Sequence, residues 1–466
     1  MSKFRRLFLG DKAFYKTALA IMIPVMIQNS VTNFVNLLDN IMVGQLGTEQ
    51  MSGVAIANQL IFVFNLCIFG GLAGPGIFGA QFYGAGDAEG VRNTFRLKVW
   101  ISISLTLLAL TVLNVWQTPL VHLFLQGDGD PLLAQRMLDY AHEYLLYMMP
   151  GLIPFALSVS YGSTFRETGE TMLPMKAGIA AVLTNLTGNW LLIFGNLGFP
   201  AWGVKGAAVA TVISRFVELG ILVYSAHHAR RYSFLSKVYK TMRVPLALSV
   251  RILKKGSLLL INEALWSLGM TALTQAYSTR GLFVLSALNI SSTVINLFNV
   301  FMIGVGSAVA VMVGHSLGAG RQQKAREEVW KLLFLAFALC MGVGLTAGGM
   351  SGLFPQLYNV EQEVRAMASA FILISALMMP FHAVSHASYF TLRSGGSTFI
   401  TFLFDSAYTW LLLIPFTKAL VHWTGLPIVP LFLLSQATNL IKFLAGILLV
   451  RSGIWQKNIV ATQSLA

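Results

Sequence analysis

Charge is scarce in this chain. Of its 466 residues 11% are Asp, Glu, Lys or Arg, against 56% hydrophobic, a balance that excludes an ordinary water-soluble domain. Cysteine is scarcer still. Cys67 and Cys340 stand alone inside apolar runs, so they make neither a disulfide framework nor a thiolate metal site and are read as packing residues. No small-residue cleavage site follows the basic start MSKFRRLFLGDKAFYKTALA before Asp39, and the apolar stretch there is too long for a signal h-region. It reads as an uncleaved first helix.

What the chain has in abundance is long apolar segments, recurring from residue 14 to residue 451. Each is about 20 residues or longer, enough at 1.5 Å per residue to cross a hydrocarbon core of about 30 Å. Twelve spans are expected, at 14–43, 51–82, 93–117, 132–164, 170–196, 203–228, 248–278, 283–316, 324–351, 362–393, 397–423 and 430–451. The fold class is therefore an all-α integral membrane protein. The net charge of +14 would suggest a nucleic-acid partner in a soluble protein, but its distribution has another explanation. The Lys and Arg concentrate on alternate loops, above all at Arg230, Arg231, Lys237, Lys240, Arg243, Arg251, Lys254 and Lys255. That is the positive-inside pattern, which places a multi-pass protein in the cell membrane with both termini cytoplasmic and requires no nucleic acid.

The chain also repeats itself. Residues 70–92, GGLAGPGIFGAQFYGAGDAEGVR, match 304–326, GVGSAVAVMVGHSLGAGRQQKAR, bringing Gly84-Ala85-Gly86 onto Gly318-Ala319-Gly320. MMP at 148–150 recurs at 378–380, TFRETGET at 164–171 answers TLRSGGST at 391–398, and Trp190 answers Trp410. The expected organisation is two pseudo-symmetric six-helix bundles, 1–228 and 248–466, joined by a basic cytoplasmic linker at 229–247. Parallel repeats of this kind enclose a central cavity in transporters, and rocking of the lobes would alternate access to it.

Polar residues are spaced to line such a cavity. Gln28, Thr32, Asn36 (or Val35) and Asp39 share one face of the first helix, and Asn289, Ser292, Thr293, Asn296 and Asn299 share one face of the eighth. They either face the cavity or hydrogen-bond between helices. Four acids inside the spans are candidates for function: Asp39, Glu218, Glu263 and Asp405. Glu218 follows Arg215 by three residues, which predicts a local ion pair. The other three have no comparable local cation, and an intramembrane carboxylate marks a functional site by default. A desolvated carboxyl suits proton coupling, because low dielectric favours its neutral form. A sodium ion instead needs a carboxylate with neutral oxygens, which Thr184, Asn185 and Asn189 would supply. No metal beyond that possible sodium at Asp39, Asn185 and Asn189 is expected, and no cofactor. The coupling ion is Na+ or H+.

These motifs, DNIMVGQLG at 39–47, GAQFYGAGD at 79–87, TFRETGET at 164–171 and TNLTGNWLLIFG at 184–195 with their echoes, resemble the multidrug and toxic compound extrusion (MATE) transporters, particularly the NorM-type branch, over essentially the whole chain. The resemblance implies export of amphipathic, often cationic compounds by proton or sodium antiport. It makes Asp39 the first-lobe carboxylate that is protonated or loaded with sodium, and Thr184, Asn185 and Asn189 its fifth-helix partners. Glu263 falls where sodium-coupled NorM-type members carry a seventh-helix Glu. The chain departs from the pattern in MMPFHAVSH, where His382 stands in place of a tenth-helix Asp. Asp405 is then the candidate for the missing second-lobe charge, with His382 either a proton sensor or a packing residue.

Other motifs carry less. Gly84-Ala85-Gly86-Asp87 fits the GxGD pattern of intramembrane aspartyl proteases, yet its repeat ends in Arg321, so no enzyme is expected. His382 and His386 have the i, i+4 spacing of metal ligands without a third. Trp266, Trp410 and Trp190 either contact an organic cation through their rings or anchor helices at the interface. The chain is expected to work as a monomer among membrane lipids. Two alternatives are a lipid-linked precursor flippase of the same wider superfamily, disfavoured because the embedded charges read as mainly acidic, and a non-transporting membrane receptor.

Overall fold

The computed structural model describes residues 8–122, 131–232, 234–235 and 237–461. Among these, twelve helices are long and apolar enough to cross a membrane: α1 Lys12–Gly44, α2 Thr48–Gly84, α3 Ala88–Val121, α4 Leu132–Glu167, α5 Met172–Phe194, α6 Val204–His228, α7 Leu246–Ser278, α8 Phe283–Gly318, α9 Gln322–Gly349, α10 Gln362–Ser394, α11 Thr398–Trp423 and α12 Ile428–Ser452. Each overlaps one span expected from hydropathy. The part of the N-terminal reading that falls on residues 1–7 lies outside the described residues.

Among the described residues four helices are interrupted, the first being α3, which kinks at Trp116 (φ −116°, ψ 18°). In α4 a 3₁₀ turn, Met149–Gly151, surrounds Pro150, which has no N–H to continue the ladder. In α12 two segments, Ile428–Ala437 and Asn439–Ser452, meet at Thr438. In α11 the backbone widens into π-helical turns over Leu403–Ala407 and Thr409–Leu413, and such turns gather at functional sites. The first of them contains Asp405.

Packing divides the chain into two compact units that differ from the boundaries read in the sequence. The N-terminal unit is Ile27–Gly76 with Ala88–Ile252; the C-terminal unit takes the chain up to Met26, Ile77–Asp87 and everything from Leu253 on. Helices α1 and α2 each change unit within their length, just past the internal prolines Pro24 and Pro75. A proline removes one ladder hydrogen bond and crowds the preceding turn, so the axis bends most easily there.

The described residues of the basic linker between Phe234 and Met242 dock on the N-terminal unit. Arg92, Arg96 and Trp100 on α3 donate to the carbonyls of Phe234, Val238 and Met242 at 2.9, 2.9 and 3.0 Å. The four-residue step is the same on both sides, so one face of α3 reads the segment as a template. Leu235 and Val238 are fully buried beneath it. The C-terminal end is held similarly. Gln81, itself fully buried, donates to the Ser394 and Lys457 carbonyls at 2.8 and 3.1 Å and accepts from the Ile459 N–H at 2.9 Å.

The Gly-Ala-Gly repeat has a backbone cause. Gly86 and Gly320 close α2 and α8 in the left-handed region, at φ 76° and 72°. The next residues, Asp87 and Arg321, donate back to Phe82 and Ser316 at 3.0 and 2.9 Å, a Schellman end that glycine favours. Gly84 and Gly318 serve a different purpose. A Cβ on Gly318 would run into the Gln81 backbone, and one on Gly84 into that of His315. Gly318→Ala is therefore expected to cost about 1–3 kcal/mol by overpacking, read as a lowered melting temperature of the purified protein.

Candidate functional site

Asp39 lies near the C-terminal end of α1 and Asn185 and Asn189 near that of α5. The i, i+4 step on α5 puts both amides on the face toward α1. Asn189 Nδ2 donates to Asp39 Oδ1 at 2.7 Å. With the Asn185 amide turned so that its oxygen accepts from Thr211 at 3.0 Å, its nitrogen lies 2.9 and 3.0 Å from the two Asp39 oxygens. Asn185 and Asn189 are buried, and the Tyr144 hydroxyl, within reach of Thr211 and Asn58, closes the cluster from α4. No Lys or Arg forms an ion pair with Asp39 among the described residues. Asn189 Oδ1, beside that carboxylate, is buried without a hydrogen-bond partner.

Two of the residues expected at this site lie elsewhere. Thr184 is on the adjoining face of α5. Its hydroxyl donates to the Ala180 carbonyl at 2.8 Å, and it lines a 430 Å³ groove with Leu183, Thr187, Gly188, Ala210 and Ile213. One residue is 100° of helix, too far for Thr184 to join Asn185 at Asp39. Asn36 and Thr32 are exposed, outside the hydrogen-bonded cluster, and Gln28 packs over Gly178 on α5.

The C-terminal unit holds a second cluster, built from residues far apart in the chain. Asp405 Oδ2 accepts from Asn262 Nδ2 at 2.9 Å, and Asp405 Oδ1 meets Lys442 Nζ at 2.7 Å. Asn262 Oδ1 accepts from the Ser406 hydroxyl at 2.7 Å. Beside it the Tyr389 hydroxyl donates to Glu263 Oε1 at 3.1 Å, and Arg393 stands 3.7 Å from the same oxygen. Of the three acids without a local cation, two have one supplied by another helix: Lys442 of α12 for Asp405, Arg393 of α10 for Glu263. Asp405 therefore adds no net charge to this cluster.

Glu218 feels its expected neighbour Arg215 and a second base as well. Arg166 of α4 acts on it together with Arg215, while the Arg215 guanidinium lies 4.7 Å over the Phe155 ring. Elsewhere in the N-terminal unit Lys98, fully buried, is held by Glu167 at 2.6 Å, Thr164 at 2.9 Å and Ser163 at 3.0 Å. The embedded charges are thus not mainly acidic. The argument drawn from that against a lipid-linked precursor as cargo falls with it.

The eighth-helix stripe lies on an exposed face of α8. Asn289, Ser292, Thr293 and Asn296 are exposed, and their bonds run along their own helix: Ser292 and Thr293 to the Asn289 carbonyl at 3.0 and 2.8 Å, Asn299 to Asn296 at 3.1 Å. Among the described residues no side-chain hydrogen bond from them to another helix is seen. Trp266 and Trp410 are both exposed, and Trp410 ties α11 to the Leu265 carbonyl of α7 at 2.8 Å. Trp190 sits near the end of α5 and Trp410 in the middle of α11, so these two are not in equivalent register. His382 reaches Gln436 and His386 lies 4.9 Å from the Phe390 ring, dividing the i, i+4 pair between two neighbours.

Lys98, Lys442, Asn262 and Tyr389 were not anticipated. The signal for the lysines was present: a base inside an apolar run is as informative as an acid.

A family model described as MatE matches residues 24–191 and 258–417. Among curated proteins the chain is similar to the probable multidrug resistance protein NorM of Thermotoga maritima, 24% identical over 453 residues covering 96% of this chain and 94% of that protein. It is also similar to the multidrug resistance protein MdtK of Yersinia pestis, 25% identical over 413 residues covering 86% of each. Among solved structures the Vibrio cholerae MATE transporter VcmN in its bent form shares the fold at a TM-score of 0.84, with 17% identity over 96% of this chain and 98% of that one.

Proposed function

The chain belongs to the MatE family, and on that premise we propose that it is a cation-coupled antiporter that exports amphipathic, cationic organic compounds from the cytoplasm by alternating access. Its setting is the cell membrane, with both termini cytoplasmic. The observation that carries the reading is Asp39: an intramembrane carboxylate held by neutral amides rather than by a base, next to the unpartnered Asn189 oxygen. A proton or sodium ion is the charge such a group can take up and give back. The exposed stripe of α8 supplies a polar face for cargo, with Trp266 and Glu263 on α7.

For coupling, the ion must bind more tightly in one facing state than in the other, since equal affinity shifts nothing. Asn189 serves this by holding Asp39 in place. Asn189→Leu removes a hydrogen bond to a charged group, worth about 1.5–3 kcal/mol. If sodium is the coupling ion, loss of the Asn189 oxygen should raise the sodium concentration for half-maximal export; if it is the proton, loss of the donor that stabilises the ionised carboxylate should lower the proton concentration needed, each by roughly 10- to 100-fold.

The test of the function itself is efflux of a fluorescent organic cation from proteoliposomes under a sodium gradient and a pH gradient imposed separately. Efflux under sodium alone assigns a sodium site to Asp39, Asn185 and Asn189; efflux under the pH gradient alone assigns carboxyl titration. Efflux under neither sinks the antiport reading and moves the lipid-linked precursor ahead of it.

A further inference from the structure

We propose that the C-terminal unit contains a monovalent-cation site whose cation is built into the chain: the Lys442 ammonium stands where a free ion or small alkylammonium would otherwise bind Asp405. The geometry is that of a binding site rather than a surface pair. Lys442 Nζ lies 2.7 Å from Asp405 Oδ1 and at 5.4 and 5.2 Å from the ring centres of Phe404 and Tyr408, both within the range in which an aromatic face attracts a cation. The carboxylate is aimed from behind. Asn262 donates to its other oxygen and is itself fixed by Ser406.

Comparison within this molecule isolates the difference. Asp39 and Asp405 are each oriented by an asparagine amide from another helix, but only Asp405 has a base seated on it. Both groups of the pair are largely buried, at 15% and 13% side-chain exposure. Glu263 is already matched by Arg393. Removing the Lys442 side chain therefore leaves one uncompensated negative charge and a space of ammonium size, and burying an unpaired charge is costly enough to recruit a replacement. The unit thereby keeps a cation at Asp405 without drawing one from solution. This inference concerns occupancy, not flux, and stands apart from the antiport reading.

The test measures melting of purified protein in methylammonium chloride or sodium chloride against choline chloride at equal ionic strength, in an Asp39→Asn background that silences the other acid. D39N alone is expected to show no response. D39N/K442A should show a saturable upward shift with methylammonium, sodium or both, and D39N/K442A/D405N should lose it. If D39N/K442A cannot be recovered folded in choline, recovery in methylammonium or sodium is the expected result. The proposal is overturned if D39N/K442A responds to neither cation, if the response survives D405N, if D39N alone responds through Asp405, or if the variant is recovered in none of the three salts.

Discussion

Asp39→Asn is expected to insert, fold and melt like the parent protein, yet to lose gradient-driven export. Asparagine matches aspartate in shape and keeps an oxygen to accept from Asn189, so the contact between α1 and α5 survives. What disappears is the negative charge, and with it any difference in cation affinity between facing states. Coupling between two ligands is typically worth 1–3 kcal/mol, or about 5–150-fold, and export under an imposed gradient should fall by that order. Export assays in proteoliposomes, with binding of the same fluorescent cation as a control, separate lost coupling from lost cargo binding. Parental export by the variant would remove Asp39 from the mechanism.

Glu167→Leu is expected to be the most destabilising of the substitutions considered. Lys98 is fully buried and is held by the Glu167 carboxylate and two hydroxyls. Deleting the acid strands an ammonium in a low-dielectric interior, a loss of about 3–5 kcal/mol for such buried pairs. The double variant Lys98→Met/Glu167→Leu should recover most of that stability, because neutral packing can replace a buried pair at little net cost. Melting temperatures of the two variants decide it. If the double variant is as unstable as the single one, the pair acts through shape rather than charge.

The Glu167 case also shows how far the sequence could be read. TFRETGET stands out as a repeated motif, but the role of its Glu167 depends on Lys98, 69 residues earlier. Asp39, Asn185 and Asn189 were legible because one intramembrane acid and an i, i+4 pair are short-range signals. Thr184 was misplaced because neighbours in sequence point 100° apart on a helix. The 229–247 segment looked like a connector because it is basic and has little regular structure. Its docking depends on three carbonyls, which carry no side-chain signature.

Local signals suffice to read a twelve-span all-α membrane protein of the MatE family with a carboxylate near the end of its first helix. Hydropathy needs only a window of about twenty residues, and the motifs keep their order along the chain. Only the tertiary structure decided which charges stand alone. Lys442 meets Asp405, Arg393 meets Glu263 and Lys98 meets Glu167, while Asp39 keeps neutral partners. Helical periodicity says which face a side chain occupies, but the helix opposite that face is chosen by packing. An embedded charge takes its meaning from what that packing brings within about 4 Å.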